Sequence, residues 1–358
     1  MRVLQLIDSL HAGGAERVAV NLANGLSTKI DKSFLCATRQ EGHLKESISS
    51  QVGYLFLNKT KTIDFRAIQK LKAFIKEEKI EIIHAHSSSF FLATIIKIIY
   101  PKLVLVWHDH YGKSEYLDKR PTFVLKWCSK LFNHVFVVNS KLESWSKEML
   151  DCKSVSYLPN FAVANNKASL TKLKGEAGKR VICLANFRAQ KDHINLLKAF
   201  NMVWKTNTGW TLHLVGHDFK DEYALDIKNF IKDNALEKHV FIYGSCTDIS
   251  HILNQSDIGV LSSKSEGLPL SLLEYGLAGL ATITTNVGDC YKVVSKDAEG
   301  LLIPSNNTDA LVNALLKYIN NKNLRLESGR CLKAKVNTSF SEPSILNSIL
   351  ETYKKHQI

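Results

Sequence analysis

The chain has 358 residues, 45% of them hydrophobic, a length that exceeds one ordinary domain and supplies two sizeable cores. Seven cysteines are scattered without a C-x-x-C pair, which argues for reduced thiols and against a disulfide framework. The net charge of +13 fits an anionic partner or a merely soluble basic surface, and the RRM, KH and helix-turn-helix patterns that would accompany nucleic acid are missing from the sequence.

Val3–Ile7 reads as a strand, and Met1 leads directly into it with no secretory signal, so a cytoplasmic protein is expected. His11-Ala12-Gly13-Gly14-Ala15-Glu16-Arg17 follows, then Ala15, Val18, Ala19, Leu22 and Leu26 recur on one helical face. The Gly13-Gly14 turn can aim N–H groups at an anion, although glycines in such turns also serve geometry alone. Glu16 reads as an ordinary favourable acid in a helix's first turn. Further strands are expected at Ser33–Thr38, Tyr54–Leu57, Glu81–Ala85, Leu103–Trp107 and Val135–Val138, with helical spacing between them at Phe65, Ile68, Leu71 and Ile75. Strands alternating with helices imply a parallel sheet with both faces covered. Ligands of such sheets bind beyond the strand carboxyl ends. The longest apolar run, Phe90 to Ile99, carries Lys97 and is too short to span a bilayer.

Two strand ends carry histidine pairs, His84-Ala85-His86 and His108-Asp109-His110. Residues at i and i+2 share a strand face, so a metal cluster has to be considered, but the sequence assures no third ligand. His108, directly after the strand Leu103–Trp107, is also readable as a polar residue that finishes the strand. Downstream, Lys119, Arg120, Phe123, Lys126, Trp127, Lys130 and Phe132 interleave basic and aromatic side chains beside Leu131. A helix there could lie in a lipid interface. It could equally bury Phe123, Trp127 and Leu131 and leave its lysines in water.

The polar stretch Asn165–Lys179, with Gly175 and Gly178, reads as a linker. A second array opens with the strand Val181–Ala185 and the turn Asn186-Phe187-Arg188-Ala189-Gln190-Lys191-Asp192-His193. Strands Thr211–Val215, ending at Gly216, and Val240–Tyr243, followed by Ser245, Cys246 and Asp248, come next. Ile258–Leu261 is a short buried strand, and Pro269 suits the first position of a helix running through Gly279. Glu266 and Gly267 then sit on a loop at a helix N-terminus, where unpaired N–H groups and the helix dipole favour a phosphate. Glu274 lies about five residues into that helix, roughly 7 Å along its axis, and a carboxylate at that reach can accept from both hydroxyls of a ribose. Strand-like Leu301–Ile303 and helices over Thr308–Tyr318 and Ser344–Lys355 close the chain.

The run Ser265-Glu266-Gly267-Leu268-Pro269-Leu270-x-x-Leu273-Glu274-x-x-x-x-Gly279, continued by Ala281–Gly288, resembles the signature of retaining GT-B glycosyltransferases of family 4. Leu158-Pro159-Asn160-Phe161, Gly13-Gly14-Ala15-Glu16-Arg17 and Glu299–Pro304 extend the resemblance over nearly the whole chain, strongly after Val181 and more thinly before it. It implies an α/β protein of two Rossmann-like domains with parallel sheets facing across a cleft. These are an acceptor domain over residues 1–164, a linker over 165–179 and a nucleotide-sugar domain over 180–341, with a helix over 342–358 packing back on the first.

The resemblance also assigns roles. His108 is similar to an active-site histidine that hydrogen-bonds the donor sugar. Gly13 and Gly14 approach the donor diphosphate, and Lys191 binds the donor phosphates. The family's phosphate-binding arginine falls at Asn186, so Arg188 is expected to supply that charge. Glu266 holds the sugar, Gly267, Leu268 and Leu270 line the donor, Glu274 holds the ribose, and Gly216, Ser245 and Cys246 lie towards the nucleotide.

The implied reaction is retaining transfer of a hexose from a nucleotide sugar, as substrate and without cofactor or active-site metal. The saccharide acceptor would be lipid-linked, on a polyprenyl diphosphate, or soluble, and the enzyme would be peripheral at the anionic inner membrane face in surface polysaccharide synthesis. Rival readings are an epimerase or phosphorylase on the same fold, and a non-catalytic basic protein that binds an acidic polymer.

Overall fold

Runs of Val, Ile and Leu bounded by glycine and polar turns pair as parallel strands in two units of this computed structural model, which describes residues 1–11, 13–163 and 170–357. Ala12 of the first turn and residues 165–169 of the expected linker lie outside the described residues. Unit 1 comprises Met1–Phe161 and Glu342–Ile358, and unit 2 comprises Ala162–Ser341.

In unit 1 the strands are β1 (Arg2–Ser9), β2 (Lys32–Gln40), β3 (Gly53–Phe56), β4 (Ile82–His86), β5 (Val104–Asp109), β6 (His134–Val137) and β7 (Val155–Tyr157), in the order β3-β2-β1-β4-β5-β6-β7. Unit 2 holds β8 (Arg180–Leu184), β9 (Thr211–Val215), β10 (Val240–Gly244), β11 (Ile258–Leu261), β12 (Ala281–Thr285) and β13 (Leu301–Ile303), in the order β10-β9-β8-β11-β12-β13. Both orders run outward from the first strand in one direction and resume beside it in the other. Each sheet therefore has a switch point, β1/β4 in unit 1 and β8/β11 in unit 2, where a crevice opens at the carboxyl ends.

Helices cover both faces. The helix Phe65–Glu77 starts at Asp64, whose carboxylate accepts from the Ala67 N–H at 3.2 Å, and it buries Ala67, Ile68, Leu71 and Ile75. Phe65, read from spacing as part of that face, is exposed, and Ala67 takes its place. The final helix, Glu342–His356, buries Ile345, Leu346, Ile349 and Tyr353 against Val18, Leu22 and Leu26 of the helix Gly14–Leu26. Among the elements that the sequence reading did not name are β7, only three residues long, and the helix Lys322–Ser339, which buries just Ser328, Gly329, Leu332 and Val336 and so lacks a strong apolar stripe. Gly329 is needed there because a Cβ would lie 2.0 Å from the Gly279 carbonyl oxygen.

Residues 170–179, expected to be linker, are tied to unit 2. Asp248 accepts from the Leu170 and Thr171 N–H groups at 2.9 and 2.7 Å, and the Arg180 guanidinium donates to the carbonyls of Leu173, Lys174 and Gly175. Burial would raise the Asp248 carboxyl, but these hydrogen bonds outweigh it and hold the group below the usual range.

The switch point of unit 2 has a specific construction. β11 pairs with β8 only through Ile258↔Val181 and Gly259↔Ile182. Beyond them the strands part, and the buried Tyr275 hydroxyl enters the gap, accepting from the Leu184 N–H at 2.7 Å and donating to the Val260 carbonyl at 3.2 Å. Gly259 makes this possible, since a Cβ there would lie 2.7 Å from the Tyr275 ring. Tyr275→Phe should leave one buried donor and one buried acceptor unsatisfied, at a cost of about 1–3 kcal/mol. A thermal melt of the full-length variant that matched wild type would contradict this bridging role.

Candidate active site

The loops that leave β8 and β11 carry opposite charges to one place. After β8 a short turn, Ala189–Lys191, ends at Asp192, whose φ of 51° and ψ of 47° are left-handed. That turn directs Lys191 back over the sheet edge. After β11 come Ser262, Ser263 and the loop to Glu266. The Ser262 hydroxyl donates to the carbonyls of Lys191 and Asp192 at 3.0 and 3.1 Å, and the Lys264 N–H donates to the Gln190 carbonyl at 2.7 Å, so the two loops are stitched together.

Glu266 is the centre of the arrangement. Its Oε1 accepts from Lys191 Nζ at 2.5 Å and from Ser263 Oγ at 2.6 Å. The Glu266 side chain is 5% exposed and that of Lys191 19% exposed, so the pair is largely withdrawn from water. A buried carboxylate is tolerable only with such a partner. Thr285, at the end of β12, donates to the Ser263 carbonyl at 2.7 Å and steadies the supporting serine. Gly288, with φ of 53°, lets the loop after β12 lie against Glu266 and Gly267. A Cβ there would meet their carbonyl oxygens at 2.3 and 2.4 Å.

Gly267 and Leu268 lead into the helix Leu270–Ala278, with Pro269 as N-cap rather than first helical residue, and with Gly279 at φ 75° ending the helix that had been read as running through it. Proline's fixed φ suits the extended cap position as well as the first turn. Glu274 lies on the partly buried side of this helix. Asn186 acts as a clamp between loops. Its Oδ1 accepts from the His217 N–H at 2.8 Å while the Phe187 N–H donates to the His217 carbonyl at 2.9 Å, which locks the loops after β8 and β9 together. Gly216 belongs to the same lock, because a Cβ would sit 2.0 Å from the Ala185 carbonyl oxygen. Arg188 is exposed, with its guanidinium 5.0 Å from the Phe219 ring centroid. Ser245 and Cys246 follow β10, and burial pushes the Cys246 thiol up, which leaves it neutral. His193, packed against Phe187, is pushed down to about 4 by burial and is neutral as well.

The residues missed from the sequence are Ser262, Ser263 and Thr285. A serine pair directly before the Glu266 loop, at the carboxyl end of a buried strand, was the available signal.

In unit 1, His108 lies inside β5 and not after it, since β5 continues to Asp109, and it pairs in register with His86. Gly13 is the N-cap of the helix Gly14–Leu26, and the Glu16 carboxylate folds back over it, so close that a Cβ on Gly13 would be 2.1 Å from Glu16 Oε2. This is the geometry of an N3 acid at its own helix start, in keeping with the reading of Glu16 as a favourable acid in a helix's first turn. Nothing meets a Cβ placed on Gly14. The stretch 119–132 is a turn followed by a short helix, Phe123–Ser129, which buries Leu125 and Cys128. Phe123 and Trp127 are 89% and 54% exposed, which removes the reading that places them in the core.

Two parallel α/β units of this strand order, with charged loops at the carboxyl ends, define the GT-B architecture. The HepE protein of Anabaena, solved with UDP and glucose, superposes with a TM-score of 0.83 over 99% of this chain and 100% of its own, at 16% identity. Sucrose-phosphate synthase of Thermosynechococcus elongatus does so with a TM-score of 0.81 over 99% of both chains, also at 16% identity. Residues 12–162 match the family described as Glycosyltransferase Family 4, and residues 167–330 match glycosyl transferases group 1. The chain belongs to these family 4, group 1 glycosyltransferases and is a glycosyltransferase. Among its relatives is the Escherichia coli UDP-Gal:alpha-D-GlcNAc-diphosphoundecaprenol alpha-1,3-galactosyltransferase, 27% identical over 95% of this chain and 93% of that protein. Another is a Campylobacter jejuni alpha-1,4-N-acetyl-D-galactosaminyltransferase whose name specifies a diphosphoundecaprenol-linked acceptor, 22% identical over 91% of each chain.

The Lys191–Glu266 pair is expected to couple energetically. A double-mutant cycle of Lys191→Met and Glu266→Gln, read by urea unfolding, should give an interaction of about 1–3 kcal/mol, and additivity within about 0.5 kcal/mol would show that the contact contributes nothing.

Proposed function

We propose that this glycosyltransferase moves a hexose from a nucleoside-diphosphate donor to a lipid-linked saccharide, with retention of anomeric configuration. The observation that carries the donor side is the buried Lys191–Glu266 pair at the β8/β11 switch point, beside the Gly267–Leu268 entry to a helix. As the glycosidic bond breaks, negative charge grows on the leaving diphosphate. Lys191, assisted by Arg188 and the helix N-terminus, stabilises that charge. Glu266 orients Lys191 and faces the sugar, where its carboxylate supports positive charge at the anomeric carbon. Glu274 holds the ribose, Gly216, Ser245 and Cys246 border the nucleotide, His108 hydrogen-bonds the donor sugar, and the Gly13-Gly14 turn approaches the donor diphosphate. No cofactor takes part in this scheme.

Calorimetry with a panel of nucleoside diphosphates tests the donor reading and identifies the base. Glu274→Gln should weaken nucleotide binding, whereas Lys191→Ala should chiefly slow transfer, by about 10²–10³-fold. Full activity in both variants would remove the site assignment. Release of nucleoside diphosphate only when an acceptor is supplied would separate transfer from epimerisation.

The acceptor side rests on the exposed face around Phe123. Among the described residues no helix is long and apolar enough to cross a membrane. Phe123, Val124 and Trp127 nevertheless point into solvent, flanked by exposed Lys119, Lys126 and Lys130. Basic and aromatic side chains so placed suit an anionic lipid surface, where each lysine contributes about 1 kcal/mol and the aromatic rings enter the headgroup region. The named acceptors of the relatives, carried on diphosphoundecaprenol, support the same reading. Liposomes of graded anionic content should sediment the wild type and release a Lys119→Glu/Lys126→Glu/Lys130→Glu variant. Equal binding by the two proteins would exclude this face.

A further inference from the structure

His84 and His86, at i and i+2 on β4, present their rings to the same side of the sheet, and the β4–β5 register sets His108 directly beside His86. Ring centroids are separated by 4.7 Å for His84–His86, 5.3 Å for His84–His108 and 5.5 Å for His86–His108. One ring nitrogen from each can be chosen so that all three lie within 4.8 Å of one another. All three residues are buried, at 0%, 0% and 1% exposure. The third ligand that the sequence could not assure is thus His108.

We propose that His84, His86 and His108 form a site for a divalent first-row transition metal of the zinc class, with its fourth position open on the side of His110. Two features support it. First, His84 Nε2 and both nitrogens of His108 have no hydrogen-bond partner among the described residues, so the His108 N–H is unsatisfied on whichever nitrogen it sits. Second, the far nitrogens of the other ligands are held from behind. Tyr353 Oη lies 2.5 Å from His84 Nδ1, and Gln5 Oε1 accepts from His86 Nε2 at 2.8 Å. This is the outer-shell pattern that fixes tautomer and ring direction in histidine metal sites.

The set is built wholly from unit 1. His110 Nε2 lies 3.0 Å from His86 Nδ1, the nitrogen left for a metal once Nε2 is held by Gln5, so His110 gives up that contact when an ion binds. Asp109 is already held by Arg120 through contacts of 2.6 and 3.0 Å, so no carboxylate enters the set. A bound dication therefore keeps its charge and takes water or an anion at the fourth position. Three imidazoles suit zinc, copper or nickel and not calcium or magnesium. Binding requires movement: the His84 and His86 rings are stacked at 10°, and tetrahedral ligation at about 2.0–2.1 Å places nitrogens about 3.4 Å apart, so the rings turn about χ2 and close inward. Coordination through one nitrogen would leave the other His108 N–H as a fixed donor, which is compatible with its proposed role in transfer but does not depend on it.

The test is cobalt titration of full-length protein, purified without a metal-affinity tag and freed of metal by chelator. One equivalent of Co²⁺ should bind with the intense ligand-field absorption of a four-coordinate site and be displaced by Zn²⁺. His84→Asn and His108→Asn should each lose more than about 100-fold in affinity, beyond the range for outer-shell substitutions. Tyr353→Phe keeps the ring in the core while removing the hydroxyl behind His84. It should lose about 10–100-fold, and it keeps the test decisive if a histidine variant fails to fold. His213→Asn, at a buried histidine of unit 2 paired with Thr211 and Tyr243, should bind as wild type. Wild-type protein that takes up no cobalt in such a site, or a His108→Asn variant that binds as tightly as wild type, overturns the proposal.

Discussion

The ladder between β8 and β11 runs for two residue pairs and stops, and the site in unit 2 depends on that early parting. A parallel sheet keeps its strands together by satisfying each backbone donor, so separating them at mid-length leaves Leu184 and Val260 groups that need other partners. Tyr275 supplies both with one hydroxyl, and Gly259 gives its ring the room. Released from each other, the two strands deliver separate loops, and each loop brings one charge.

Those charges are then constrained by burial. A carboxylate as enclosed as Glu266 is costly to bury alone, and Lys191 supplies its partner. Two hydrogen bonds from neutral hydroxyls complete the support, Ser263 to the Glu266 carboxylate and Thr285 to the Ser263 carbonyl. The left-handed Asp192 turn and the Ser262 bridge fix the lysine loop against the glutamate loop. The protein's own contacts hold the pair in place, and groups held in this way need little reorganisation when charge develops beside them.

Much of this was legible in the sequence. Strand positions follow from short apolar runs between turns, and they are correct to within one or two residues, as for Val181–Ala185 against the observed Arg180–Leu184. The Glu266–Glu274 run led to the right loop and helix because glycine and proline punctuate them so clearly. What pattern could not supply was pairing in space. The contact between Lys191 and Glu266 joins residues 75 apart in the chain, and nothing local to either announces the other. Asn186 matches a motif position yet holds the His217 loop, a distinction that needs the neighbouring strand's turn to be in view. The spacing of Phe123 and Trp127 was compatible with burial, but Leu125 and Cys128, on the opposite side of the short helix, fill the core instead. The helix Lys322–Ser339 went unread because small residues, not large apolar ones, make much of its buried contact.

The two sheets share one strand order and yet equip their carboxyl ends with opposite chemistry. In unit 2 the ends carry a lysine and a glutamate that neutralise each other, together with serine and threonine hydroxyls that hold them. A lysine that suits a carboxylate also suits a phosphate, which offers acceptor oxygens of the same charge-assisted kind. In unit 1 the ends of β4 and β5 carry imidazoles that burial keeps neutral, with repulsion between neighbouring rings adding to it at His84, His86 and His108. Burial alone pushes His110 down to about 3. Neutral rings make poor partners for phosphate but good ones for hydroxyls or a metal, since each offers a single donor and a single lone pair. The fold therefore provides the same crevice twice, and what each crevice can bind is decided by the few side chains the strands place at its lip.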